Sequence, residues 1–426
     1  MPDVVREGGK VWIEGVPSAD VGLGWDMLLR GMLILLGHRR EEVTLDELMA
    51  LSGDAFNLCF ASHWQGTAYL AAPTDTLANA AGALGYEHRW LLPMPDHEIR
   101  ALPEPERRRV TDQVLQQIRE EIDAGRPVLV GGCADAGCAA AAGCGPWSVV
   151  VGYDLDEPVL CHVGIGNAYR WAGVRGIVAR EEVSGYWNGR VRGAARPGFV
   201  GGWMADPAFL LGRKGPAPAA RRRAVEALKR AVSIFSAPYH RIPQWGGVTY
   251  YFGREAYEQW ALALRELDYP ADLEKPRPED AYDWYDMGAM DVLVDGVVRG
   301  RQAAAEFCDA AAEVLGNAKA NLLAAARFYR REAVIAGQVF HAFLHGTDEE
   351  RVAWLSDADR REAGALAVDG MLDRERSAVR EVELALIVEQ VEVPAAFAHS
   401  AEPLIRARKQ PFGPPGEPED DADAAP

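Results

Sequence analysis

The sequence has few cysteines, no long apolar run and a deficit of positive charge. Its 426 residues include six cysteines, with no spacing typical of a disulfide framework, so we expect reduced thiols and a cytoplasmic protein. The best apolar run, Met32 to Leu36, is far shorter than the roughly 20 residues that span a bilayer. The first 25 residues lack a basic start followed by an apolar core, which predicts that there is no secretory leader.

The excess of acidic side chains excludes two classes of partner. There are 63 Asp and Glu against 45 Lys and Arg, which gives a net charge of −18. Nucleic acids and anionic membranes both require a basic surface, so we expect neither as a partner. Small molecules and peptides stay open. We expect no cofactor, because no glycine-rich dinucleotide motif and no Gly-Lys-Ser/Thr phosphate loop occurs.

The pattern along the chain predicts an α+β protein in two parts. Short apolar strands and amphipathic helices alternate over residues 1–205. Residues 206–220 are rich in Gly, Pro and Ala, which predicts a linker. Residues 221–409 show helical spacing almost throughout and predict an all-α helical bundle. Residues 410–426 are acidic and Pro-rich, which predicts a disordered tail.

Three segments of the first part occur in a recognisable order. Gly15-Val-Pro precedes a helix that ends at Gly37, then come Gly125-Arg-Pro-Val-Leu-Val130 and Trp147-Ser-Val-Val-Val-Gly-Tyr-Asp154. This order resembles the papain-like domain of the bacteriocin-processing, double-glycine leader peptidases. The segment Leu51-Ser-Gly-Asp-Ala-Phe56 and the helical second half are similar to another group, typified by the butirosin-biosynthesis acyltransferase. Its N-terminal domain is also papain-like.

The resemblance implies a nucleophilic cysteine that opens the first helix and a histidine that opens the third segment. Counting along the segments places these residues at Gly24 and Pro146, and the oxyanion-hole glutamine at about Ser18. Neither Cys, Ser nor Thr occurs between Ala19 and Gly31, and no His occurs between Gly145 and Asp154. A thiol nucleophile needs an adjacent base. The resemblance therefore implies a papain-like domain that has lost its catalytic residues.

A cluster of three cysteines offers alternative chemistry. Cys133, Cys138 and Cys144 lie in a loop of small residues, with spacings that differ from the usual zinc pairs. They can be small packing residues, a metal or redox group, or a relocated catalytic thiol. We favour packing, and we predict no metal site.

A fourth cysteine, Cys59, has a histidine four residues later. On a helix, Cys59 and His63 would share a face and could form a thiolate–imidazole pair. The neighbouring Phe56 and Phe60 favour a core position instead, where cysteine acts as a small apolar residue.

Aromatic and acidic residues are expected near the papain-like cleft. If the resemblance holds, this group comprises Trp25, Asp26, Asp54, Trp64 and Trp147. Aromatic rings with one or two carboxylates suit an apolar or cationic ligand, although each residue also suits plain packing.

Three functions stay open on these residues. The first is a non-catalytic papain-like protein that binds a peptide or small metabolite in a vestigial cleft, within a biosynthetic pathway. The second is an active cysteine acyltransferase or amide hydrolase with a displaced nucleophile. An acidic carrier protein as donor would then be repelled by this chain unless a basic patch such as Arg221 to Arg223 intervened. The third is a structural protein that forms a homo-oligomer through its heptad-like run from Leu322 to Phe343.

Overall fold

The computed structural model describes residues 4–17, 27–62, 72–91, 103–131, 147–156, 159–163, 169–173, 208–237, 239–242, 248–267 and 287–394. Within these ranges the chain is α+β, as the sequence predicts. Each described helix is too short or too polar to cross a lipid bilayer.

Eleven strands are described. They are β1 (Val4–Glu7), β2 (Lys10–Ile13), β3 (Cys59–Ala61), β4 (Tyr86–Leu91), β5 (Val128–Gly131), β6 (Trp147–Asp154), β7 (Val159–Val163), β8 (Tyr169–Gly173), β9 (Ala208–Lys214), β10 (His240–Ile242) and β11 (Val248–Phe252). The described helices are α1 (Met27–His38), α2 (Leu45–Ser52), α3 (Thr76–Ala83), α4 (Glu104–Asp123), α5 (Ala220–Phe235), α6 (Gly253–Glu266), α7 (Met287–Val314), α8 (Lys319–Val339), α9 (His341–His345), α10 (Asp348–Ser356) and α11 (Ala358–Val388).

An eight-stranded antiparallel sheet organises the first part of the chain. Its main path runs β1-β2-β6-β5-β9-β4, while β7 pairs with β6, and β8 with β7. Strand β6 is the centre, because residues 147–150 pair with β5 and residues 152–154 pair with β2. Val149, Val150 and Val151 are all fully buried, so both faces of β6 are covered. That explains why this strand reads as a continuous apolar run.

The ends of two helices are set by local capping chemistry. The hydroxyl of Thr44 accepts a hydrogen bond of 3.1 Å from the backbone N–H of Glu47 and so caps α2. The carboxylate of Asp75 accepts one of 2.9 Å from the N–H of Ala78 and caps α3. Gly85 follows α3 with φ of +81°, which favours glycine. Local sequence therefore fixes where both helices begin and where α3 ends.

Helix α1 lies closely on the sheet, against β5 and β6. A Cβ atom on Gly31 would stand 2.4 Å from Cδ1 of Leu129 on β5. No real contact is that short, so glycine is what lets the helix backbone approach the strand.

The predicted linker over residues 206–220 is wrong over most of its length. Ala208–Lys214 forms strand β9, which lies between β5 and β4 in the sheet, and Phe209 is fully buried. The apolar run Phe209-Leu-Leu carries this strand, whereas only residues 215–219 have the composition and structure of a connection. The Gly/Pro/Ala-rich composition predicts a connection correctly for residues 215–219, but not for the apolar segment before them.

The predicted division into separate domains, 1–205 and 221–409, also does not describe the packing. Leu129 and Val150 of the sheet belong to the same continuous core as Leu322 and Tyr329 of the helical part. A smaller core around Trp260 packs within the helices. One apolar interior therefore joins the two halves.

The second half is not all-α. Strands β10 and β11 lie within it, and β11 pairs with β3 of the first half, so a three-stranded sheet joins the two. The helical spacing predicted over residues 221–409 does give helices elsewhere in this half, among them α5 and α6. The tail over residues 410–426 lies outside the described residues.

The regular apolar run of the helical half is buried inside this chain. Leu322, Ala326, Tyr329, Phe340 and Phe343 are each at most 2% exposed. The periodicity that suggested an oligomer surface is therefore accounted for by packing within one chain.

Candidate functional site

The expected cleft is bounded by the starts of α1 and β6, two elements that pack against each other. Helix α1 begins three residues after Gly24, and β6 begins immediately after Pro146. Gly24 and Pro146 themselves lie outside the described residues, as do Trp25, Asp26 and Trp64.

Trp147 is the first residue of β6, and its Cα partner across the ladder is Gly131 at the end of β5. The connection that carries Cys133, Cys138 and Cys144 therefore leaves and rejoins the sheet at one place. These three cysteines lie outside the described residues.

Cys59 has the environment of a core residue. It lies in strand β3 opposite Phe252, which agrees with the core position that the neighbouring phenylalanines favour. Because the segment is a strand, the alternative of a helical face shared with His63 does not apply. His63 lies outside the described residues. Cys59 is 6% exposed, and burial raises the pKa of its thiol well above the usual value. A thiol held protonated in this way is a poor nucleophile.

A second buried cysteine, Cys308, is similar. It lies in α7 and is fully buried, and both it and Cys59 are free of disulfide bonds. Burial, with a smaller contribution from Asp309, raises the pKa of the Cys308 thiol. Neither of these two buried thiols has the electropositive, accessible setting that activates cysteine.

Asp54 lies between the two halves of the chain. It begins a 3₁₀ turn, Asp54–Phe56, directly after α2, and its N–H donates to the hydroxyl of Ser52 at 3.1 Å. This turn packs against α5 and α7. The structure therefore places Asp54 at the contact between the sheet-bearing part and the helical bundle.

A fully buried ionic cluster lies beside this turn. The Nε atom of Arg301 is 2.8 Å from Oε2 of Glu375 and 3.2 Å from Oε1 of Glu332. Its two terminal nitrogens donate to the hydroxyl of Tyr257 at 2.9 Å and to the carbonyl oxygen of Ala55 at 2.8 Å. One guanidinium thus ties three helices to the N-terminal turn.

The electrostatics of this cluster follow from its burial. Burial, reinforced by the charge of Glu375, raises the pKa of the Glu332 carboxyl well above its usual value. Burial alone would lower the pKa of Arg301, but the surrounding acidic groups, Glu375 first, raise it overall. The environment therefore favours the charged form of Arg301 and the protonated form of Glu332, and Glu332 accepts a hydrogen bond from Tyr257.

The cluster has no route to a substrate, because its ionic side chains are at most 2% exposed. Its chemistry is therefore structural. Sequence reasoning missed it, since Arg301, Glu332 and Glu375 stand on three different helices and no local spacing links them.

A groove of about 330 Å³ lies between α2, α5 and α7. Its wall carries Asp46, Glu47 and Glu306 with Arg223, and Phe307 contributes an apolar surface. Its described lining includes no thiol and no imidazole. Among the described residues, no group of three or more His, Cys, Asp or Glu side chains could hold a metal ion.

Comparisons with known proteins add no assignment. No family model matches the chain, and no curated protein matches it. The function therefore rests on the residues themselves.

Proposed function

We propose that this chain is a papain-like protein that binds a peptide or small metabolite in a cleft without the catalytic cysteine and histidine. The observation that carries the proposal is the close packing of α1 on β5 and β6 through Gly31. A papain-like cleft needs this arrangement, because its two catalytic positions open a helix and a strand that touch. In this sequence those positions hold Gly24 and Pro146.

The thiols support a binding role over catalysis. Cys59 and Cys308 are buried, and burial raises the pKa of each. Around the proposed cleft the sequence supplies Trp25, Asp26 and Trp147. Indole rings beside a carboxylate attract ligands that carry a positive charge or an apolar face.

The proposal is tested by calorimetric titration of the intact chain with two probes, a synthetic double-glycine leader peptide and a cationic aminoglycoside. We expect one probe to bind at one site per chain, and Trp25→Ala to weaken it about tenfold through loss of ring contact. Tyr239→Ala, which removes an exposed ring elsewhere, is the matched control and should leave binding unchanged. Binding that Trp25→Ala does not alter would contradict the proposal, as would thiol-dependent turnover of either probe.

A second function, a cysteine acyltransferase or amide hydrolase with a displaced nucleophile, is favoured by one observation. Gly131 and Trp147 are Cα partners, so the segment that carries Cys133, Cys138 and Cys144 starts and ends beside the expected histidine position. Single Cys→Ala variants of these three residues test it. Thiol-dependent hydrolysis of an activated ester that one variant abolishes would support it, and equal rates in all variants would exclude it.

A further inference from the structure

A basic groove of about 390 Å³ opens where the C-terminal end of α1 meets strands β4 and β9. Its charged lining residues are Arg39, Glu87, Arg89, Glu121, Arg126 and Arg213. Four guanidinium groups thus face two carboxylates, in a chain whose overall charge is −18. The groove is therefore locally basic, although the chain as a whole is acidic.

The two carboxylates do not neutralise the groove. Arg126 pairs with Glu121. Arg213 reaches Glu87 only at 3.4 Å, with both side chains largely exposed, so this pair is weak. Among the described residues, Arg89 makes no ion pair. At least one guanidinium is therefore free to meet an anion.

The fold holds another guanidinium in place. Arg39 follows α1 directly, and its Nη2 donates a 3.1 Å hydrogen bond to the carbonyl oxygen of Leu211 on β9. That bond uses one of its five N–H donors and fixes the position of the planar group. Arg89 stands on β4, opposite Leu210 of β9. A helix end and two paired strands thus direct arginines at one groove.

We propose that this groove binds the phosphate or diphosphate group of an anionic small molecule. Guanidinium groups match phosphate oxygens in pairs of charge-assisted hydrogen bonds. The volume lies in the range of about 300–1,000 Å³ typical of small-ligand sites, well above what one phosphate fills. Since α1 is 12 residues, about 18 Å, long, the groove lies one helix length from Met27 and is separate from the proposed cleft.

The test is calorimetric titration of the intact chain at constant ionic strength with inorganic phosphate, pyrophosphate and ADP in separate arms. We expect pyrophosphate or ADP to bind at one site, at least about tenfold more tightly than phosphate, because a diphosphate engages more guanidinium groups. Tighter binding of ADP than of pyrophosphate would identify a nucleotide, and equal binding would identify the diphosphate alone as the recognised group.

Three variants locate the site. Arg89→Gln should weaken pyrophosphate binding about tenfold, while Glu87→Gln should strengthen it by removing a competing carboxylate. Arg222→Gln on α5 removes an equally exposed arginine outside the groove and should change nothing. Arg89 is exposed, so its loss leaves the fold intact, which circular dichroism checks.

Two results would overturn the proposal. One is the failure of pyrophosphate and ADP to bind at millimolar concentration. The other is an Arg222→Gln variant that weakens binding as much as Arg89→Gln does, since binding would then follow overall charge and not the groove.

Discussion

Single residues in the buried ionic cluster contribute strongly to stability. Removing Arg301 from water is costly, and only its contacts with Glu332, Glu375, Tyr257 and the carbonyl oxygen of Ala55 offset that cost. Because these partners come from distant parts of the chain, the cluster also fixes how the helices are arranged.

Replacing Arg301 by methionine should destabilise the protein by about 3–5 kcal/mol, because buried acidic groups would lose their cation. The matched control is Arg299→Met on the same helix. Arg299 is partly exposed and pairs with Asp295 one turn away, so its loss should cost less than about 1 kcal/mol. Urea unfolding measures both values, and equal losses would contradict a structural role for the cluster.

Glu332→Gln should change how stability depends on pH. The pKa of Glu332 is raised in the folded state above its usual value of 4.5. When the pH exceeds 4.5, the unfolded chain therefore releases a proton that the folded chain keeps. The contribution of Glu332 to the free energy of unfolding is therefore fully present below about pH 4.5. It is lost as the pH rises towards the pKa of Glu332 in the folded state. Glutamine can accept the bond from Tyr257 but cannot ionise.

We therefore expect the difference in unfolding free energy between Glu332→Gln and wild type to change by about 1 kcal/mol or more from pH 5 to pH 8, in favour of the variant. Unfolding in urea at the two pH values gives the difference. Glu313→Gln, at an exposed position on α7, should show no such gain. A Glu332→Gln effect that is equal at both pH values would refute the assignment.

The sequence could predict residues whose role is local, but not those whose role depends on tertiary contacts. Thr44 and Asp75 cap the helices that their spacing indicates. The neighbouring phenylalanines predict that Cys59 is buried, but its place in a strand follows from the pairing of β3 with β11, which no local pattern shows. No local pattern marks Arg301, because its partners lie 31 or more residues away along the chain.

At the scale of elements, amphipathic periodicity was a good guide and composition was a poor one. The helices α5, α6 and α8 lie where apolar spacing predicts them. Strand β9 was read as part of a linker, because glycine, proline and alanine follow it closely. Its pairing with β5 and β4 is non-local, so only the fold makes a strand of this segment.

Gly31→Ala should disturb the packing of α1 on the sheet. The added methyl group would stand 2.4 Å from Cδ1 of the Leu129 side chain, so either this buried side chain or the helix must shift, at a cost of about 1–3 kcal/mol. Gly82→Ala in α3 is the matched control. Nothing lies within 4 Å of its added methyl group, so it should stabilise by up to about 1 kcal/mol.

Thermal or urea unfolding compares these variants with wild type. The double variant Gly31→Ala with Leu129→Ala should lose less stability than the sum of the losses of the two single variants. Shortening Leu129 removes the atoms that the new methyl group would meet. Strict additivity would contradict close packing of α1 on β5.

At the scale of the whole molecule, the sheet and the helices share one core. Phe56 of the N-terminal half packs against Phe307 and Tyr329 of the helical half, with ring centroids 6.2 and 5.9 Å apart. The two halves are therefore expected to gain and lose stability together.

Phe56→Ala should cost about 3–5 kcal/mol through the cavity that it leaves. Hydrogen exchange should then show lower protection in β5 and β6 as well as in α7 and α8. Tyr239→Ala, which removes an exposed ring, should change the protection of neither the strands nor the helices. Loss of protection confined to the helices would indicate two independent domains.

The function we propose for this chain is binding by a papain-like scaffold, without thiol catalysis. It is tested most directly by labelling the intact chain with iodoacetamide and following each of the six cysteines by mass spectrometry at neutral pH. We predict that no cysteine reacts faster than a free thiol. Cys59 and Cys308 should react at least about a hundredfold more slowly than a free thiol, because local opening must first expose them. A single cysteine that reacts faster than the free thiol would reveal an activated nucleophile and contradict the account.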